Sequence, residues 1–273
     1  MKRLISLLLS LLLTFSLAAC GSDSPAEQPS IENEPVWEPF GYELLLTTGF
    51  SQETMSEDGV LVCSAHYEIP KLLPYDELTA AQQTSVDAFQ AAMEEILSGS
   101  CLFHDSLSET ALEDYTYRLS TDLEWYGHYT DEMSYMAYHT PYAVSLNFEA
   151  YTYSGGAYPN SGNVCYLFDL EAGKMVSVDD IADGDAFRSI IAEAILAEIQ
   201  RENLAELYYD DYETTVREQS EVQYFFTEHS VVVYFGDYTL APHAAGYPTF
   251  EIQSEQYRDC LSERGLRLLG FIA

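Results

Sequence analysis

The sequence predicts an α+β fold: a mostly antiparallel sheet with helices packed on one face, divisible into two subdomains. Three observations predict it. Segments with period-two alternation outnumber those with helical spacing. The two kinds come in blocks, not in strict alternation, which disfavours a parallel βαβ sheet. A composition that is 47% hydrophobic and 14% aromatic over 273 residues can fill a sizeable core.

The chain opens with "MKRLISLLLSLLLTFSLAAC", in which Lys2 and Arg3 precede an apolar run from Leu4 to Leu17. Residues 1–19 have the form of a secretory signal, and the run is short of the roughly 20 apolar residues a membrane span needs. Leu17-Ala18-Ala19-Cys20 resembles a bacterial lipobox. That resemblance implies cleavage before Cys20, lipid attachment to it, and a place at the extracellular face of the bacterial cell membrane. Residues 20–38 are polar, acidic and proline-bearing, and read as a flexible tether.

"YELLLTTGF" (42–50) and "GVLVCSAHYEIP" (59–70) read as strands, the second with Leu61, Cys63, Ala65, Tyr67 and Ile69 on one face. Pro70 and Pro74 are expected to end this hairpin-like region. Thr79-x-x-Gln82 is a capping box, followed by Val86, Phe89, Met93 and Ile96 at helical spacing, with "SGS" at 98–100 as the stop. From Tyr115 the pattern reads as strands again: 115–129, then 134–140, then "PYAVSLNFEAYTY" (141–153). In the last, Val144, Leu146 and Phe148 face one way, and Ser145, Asn147, Glu149, Tyr151 and Tyr153 the other.

"NVCYLFDLEAGK" (163–174) alternates into a turn with Gly173 at the left-handed position. Phe187, Ile190, Ile191, Ala194, Ile195 and Ile199 then form an apolar helical stripe, capped by Asp183 or Asp185. "LAELYYDDYETTVRE" (204–218) either extends this helix or forms another. "EVQYFF-TEHS-VVVYFG" reads as a hairpin with its valines inward, "YTLAPHAAGYPTFEIQ" as a loop into an edge strand, and "SEQYRDCLSER" as a closing helix.

The formal net charge is −34. Such a field repels nucleic acid and wall polyanions; it reads either as plain solubility or as favouring a basic protein or divalent ions as ligand. Besides Cys20 there are four cysteines: Cys63, Cys101, Cys165 and Cys260. Outside the cell they permit two disulfides with three pairings, and buried free thiols are the alternative. No CxxC, HExxH, G-x-S-x-G or S-x-x-K is present, so no cofactor, metal or catalytic motif is read and an enzyme is not expected. Asp179, Asp180, Asp183 and Asp185 lack EF-hand spacing, and capping accounts for at least one of them.

Several segments resemble a known family. "VSLNFEAYTYSGGAYPNSGNVCYLFDLEAGKMVSVDDI" is similar to the opening of the RsiV-like extracellular domain, with its strand, Gly-Gly-Ala loop, Phe-Asp-Leu and Gly-Lys turn. "VVVYFGDYTLAPHAAGYPTFEI" is similar to its closing hairpin. The resemblance implies an RsiV-like subdomain over 131–273. Residues 39–130 resemble the companion domain found upstream in peptidoglycan deacetylases of the PdaC type. The family includes an anti-sigma factor whose outer domain senses lysozyme, and stand-alone lipoproteins. The histidine usual in the loop is Tyr158 here.

Half of the 22 tyrosines lie between Tyr115 and Tyr166. Tyrosine offers a flat face and a hydroxyl at small entropic cost, which suits protein surfaces and sugar rings, and glycine lets a partner approach. Tyr151, Tyr153, Gly155, Gly156 and Tyr158 are therefore the candidate ligand-binding residues; the bland alternative is a hairpin packed beneath a helix. The expected function is a surface-anchored lipoprotein binding module for a cationic protein such as lysozyme, or for cell-wall glycan. A cryptic wall hydrolase and a structural lipoprotein with an assembly partner are the other readings.

Overall fold

In chain order, the computed structural model places strands β1 (Tyr42–Met55) and β2 (Leu61–Pro74), helix α1 (Ala80–Ser120), and strands β3 (Tyr129–His139), β4 (Ala143–Tyr153), β5 (Asn160–Asp169) and β6 (Lys174–Val176). Helices α2 (Val178–Ile181), α3 (Gly184–Arg201) and α4 (Tyr212–Glu218) follow. Strands β7 (Val222–Phe226), β8 (Ser230–Phe235) and β9 (Thr249–Gln253) and helices α5 (Ser254–Tyr257) and α6 (Glu263–Leu268) complete it. The structure describes residues 37–125, 127–219 and 222–272. The expected signal segment 1–19, the expected lipidation site Cys20 and the expected tether as far as residue 36 lie outside the described residues.

The fold is α+β. A six-stranded sheet has the order β1-β2-β3-β4-β5-β6 and a smaller one the order β7-β8-β9. Every pairing is antiparallel except β2–β3, which is parallel over five residue pairs. Parallel neighbours need a long crossover, and α1 supplies it.

Helix α1 corrects the sequence reading twice. It does not stop at Ser98-Gly99-Ser100, and residues 115–120 are its last turns, not a strand. Ser98 and Ser100 turn their hydroxyls back to the carbonyls of Glu94 and Ile96 (2.8 and 3.2 Å), so the helix tolerates them. The continuation is held by tertiary burial: His104, Leu107, Ala111 and Tyr115 follow helical spacing and are buried. The predicted capping box is present, with Thr79 N–H donating to Gln82 Oε1 (2.8 Å) and Gln82 N–H to Thr79 Oγ1 (3.3 Å). Pro70 does not end β2 either. Only Cys63–Tyr67 of β2 pair with β3, so Pro70 lies where the strand has a neighbour on one side alone.

The layers stack as α1, large sheet, small sheet and α3. Val144, Leu146, Phe148 and Phe168 face Phe89 and Met93 of α1, with the Phe89 and Phe168 rings edge to face at 5.2 Å. The opposite face meets the small sheet: Phe226 N–H donates to Ser145 Oγ (3.0 Å) and Asn147 Nδ2 to Tyr234 OH (3.2 Å). Val231, Val233, Phe250 and Ile252 on the far side of the small sheet bury the predicted α3 stripe. Asp183, one of the two candidates, caps α3 by accepting from Ala186 N–H (3.1 Å). Residues 204–218 leave α3 and form a short 3-10 turn and α4. No helix among the described residues is long and apolar enough to cross a membrane.

Candidate functional site

The hairpin joining β4 to β5 carries the predicted residues. Tyr151 and Tyr153 share the face of β4 that meets the small sheet, but they lie beyond Ser145 and Asn147, which that sheet covers. Tyr151 is therefore exposed and Tyr153 half-buried. Gly155 has φ +81°, and a Cβ there would sit 2.9 Å from Cε1 of Tyr129. A side chain is excluded both by conformation and by that ring. Gly156 has ordinary space around it, its nearest neighbour being the Tyr158 carbonyl at 3.7 Å. Gly155→Ala is expected to destabilise the domain by about 1–3 kcal/mol and Gly156→Ala by less than about 0.5 kcal/mol, compared by urea denaturation.

Tyr158 is 71% exposed and is not alone. The loop between β8 and β9 brings Asp237, Tyr238, His243 and Tyr247 beside it. The His243 ring lies 5.3 Å from Tyr158, 5.9 Å from Tyr238 in a stacked arrangement, and 6.1 Å from Tyr247 edge to face. Asp237 organises the group. Its Oδ2 meets His243 Nδ1 at 2.8 Å, and its Oδ1 accepts the Tyr238 N–H at 3.0 Å. Tyr247 OH accepts from Ser161 N–H (3.0 Å), and Ser161 is the cross-strand partner of Tyr151. The rings of the loop thus dock onto the hairpin that holds the predicted tyrosines.

Tyr238 has φ +58°, uncommon for so bulky a residue. The left-handed conformation costs roughly 1–2 kcal/mol, yet the residue stays 64% exposed, with its ring against His243 alone among the aromatic neighbours described. Backbone conformations of this kind cluster at functional sites. The sequence reading missed Asp237, Tyr238, His243 and Tyr247. Their available signal was a Tyr-His-Tyr set spaced around Pro242 and Gly246 in a loop.

Other candidate chemistry is structural. Asp180 accepts from the Ser177 N–H (2.8 Å) and hydroxyl (2.7 Å), which holds its carboxyl below the usual range. Asp179 and Asp185 both pair with Arg188, at 3.0 and 3.1 Å. Cys63 Sγ approaches His104 Nδ1 at 3.9 Å, but both residues are fully buried, and burial pushes the thiol pKa up. Cys63, Cys101, Cys165 and Cys260 are free thiols; none is in a disulfide. Burial raises Cys165 to about 12.

Residues 179–255 match the protein-family model described as "Protein of unknown function (DUF3298)". The DUF3298 stretch runs from α2 through β9, so it contains the Asp237–Tyr247 loop but not the hairpin of Tyr158. No curated protein matches the chain. A DUF3298-family crystal structure from Bacteroides fragilis NCTC 9343 is similar with 12% identity and a TM-score of 0.63, covering 86% of this chain and 99% of that one. A second, from Pseudomonas aeruginosa PAO1, has 16% identity and a TM-score of 0.52, covering 83% and 96%. At such identities the likeness is one of fold alone.

Proposed function

We propose that the protein is a lipid-anchored binding module at the bacterial cell surface, in the manner of the RsiV-like domains its segments resemble. It engages a cationic protein through the rings of Tyr158 and Tyr238. The observation that carries this reading is the exposed pair of rings flanking His243, one of them held out at an energetic cost. The net charge of −34 favours a basic partner, because opposite fields speed encounter. Exposed rings also suit a wall glycan, which is the second reading.

Surface plasmon resonance with a lysozyme, at low and high salt, tests the proposal. Wild type should bind, binding should weaken clearly with salt, and Tyr158→Ala with Tyr238→Ala should lower affinity by about tenfold or more. No affinity at low salt, or binding indifferent to both rings, defeats it. Salt-insensitive, ring-dependent binding of peptidoglycan fragments would transfer the site to the glycan reading. A hydrolytic reading would rest on the Asp237–His243 pair, and cleavage of wall fragments lost in His243→Ala would support that instead.

A further inference from the structure

The opposite face of the large sheet is not fully covered. Val86, Phe89 and Met93 of α1 pack on its middle, and Leu107, Ala111 and Tyr115 pack with Cys63 and Tyr129. Between these two contacts the helix turns Gly99 and Ser100 toward the sheet, and opposite them the sheet carries Ala150. Small residues on both sides leave a cleft of about 530 Å³. Its floor is apolar, with Phe148, Ala150 and Val164, the last being 42% exposed. Its helical wall presents Ala92, Glu95 and Gly99.

Gly99 has no structural reason to be glycine. It is in mid-helix, where glycine costs about 1 kcal/mol relative to alanine. It has no positive φ, and a Cβ added there would meet nothing within 4 Å. What its missing side chain does is widen the cleft. The volume lies within the range of small-molecule sites, roughly 300–1,000 Å³. Among the described residues, Glu95 is the one carboxylate of the lining, and no basic side chain accompanies it. Such a lining rejects an anionic head and attracts a cationic one, as does the field of the whole chain.

We propose that this cleft binds a small cationic amphiphile, with its apolar body on Phe148, Ala150 and Val164 and its positive head at Glu95. The site is on the face of β4 opposite Tyr151, so it is independent of the ring patch. Isothermal titration of the full chain with dodecyltrimethylammonium below its micelle concentration, beside dodecyl sulfate and dodecanol, is the test. The cation is expected to bind saturably at one site. Gly99→Leu should cut that affinity about tenfold by filling the cleft, and because a Cβ at this position meets nothing within 4 Å the variant is expected to fold, which its urea midpoint checks. Glu95→Gln should lower the preference for the cation over dodecanol by up to about fivefold. Non-saturable uptake, equal affinity for dodecyl sulfate, or an unchanged affinity in Gly99→Leu would each overturn the proposal.

Discussion

Phe187→Ala is expected to destabilise the folded domain by about 3–5 kcal/mol, against a total of about 5–15 kcal/mol for a typical domain. Phe187 is fully buried in the first turn of α3. Its ring meets Tyr224 at 5.4 Å and Tyr257 at 5.5 Å, both edge to face, and Phe226 at 6.1 Å. Those partners come from β7 and α5, so one side chain locks α3 to two other elements. Truncation removes the apolar transfer term and leaves a cavity that three large rings cannot readily collapse into. Phe187→Leu keeps most of the volume and should cost less than half as much. Urea midpoints with an unchanged slope would report it. A cost of about 1 kcal/mol or less for the alanine variant would mean this contact is not central to the core.

Arg264→Met should cost about 3–5 kcal/mol, by leaving a buried charge without its partner. The Asp169 side chain is 1% exposed and sits at the end of β5. Arg264 of α6 reaches it with Nε at 2.9 Å and with Nη2, while Asp169 Oδ1 accepts the Ala172 N–H at 2.9 Å. Arg264 is itself 37% exposed, so water reaches its side of the pair and the loss should lie near the lower end. Removing both charges in Asp169→Asn with Arg264→Met should recover much of the stability, because the unpaired carboxylate is then gone. A double-mutant cycle by chemical denaturation measures this. Additive losses would show that the two residues stabilise the fold separately.

Local rules served the sequence reading well where neighbours in the chain settle the structure. The Thr79–Gln82 box, the Asp183 cap, the turn at Gly173 (φ +62°) and the hairpin of β7 and β8 all depend on residues within a few positions. They failed where distant burial outweighs local preference. Gly99 and the Tyr-Thr-Tyr run at 115–117 have poor helical propensity, yet burial of Leu107, Ala111 and Tyr115 against Val62, Cys63 and Tyr129 carries α1 through to Ser120. Propensity differences of up to about 1 kcal/mol per residue cannot compete with burial of several whole side chains at about 1.5–3 kcal/mol each.

The candidate site divides the same way. The hairpin and the exposed placement of Tyr158 on it were legible because a hairpin loop is a local object. The companions of Tyr158 were not, since about 80 residues separate it from Tyr238 and His243, and only the packing of the small sheet on the large one brings them together. Alternation, helical stripes and composition determined an acidic α+β protein with a tyrosine-bearing hairpin. The tertiary structure alone decided the parallel β2–β3 pairing, the length of α1, the ring cluster around His243 and the open cleft behind it. The reason is physical: periodicity and capping act over one or two turns of chain, whereas register between distant strands and the choice of buried face are set by side chains that meet only once the core has closed.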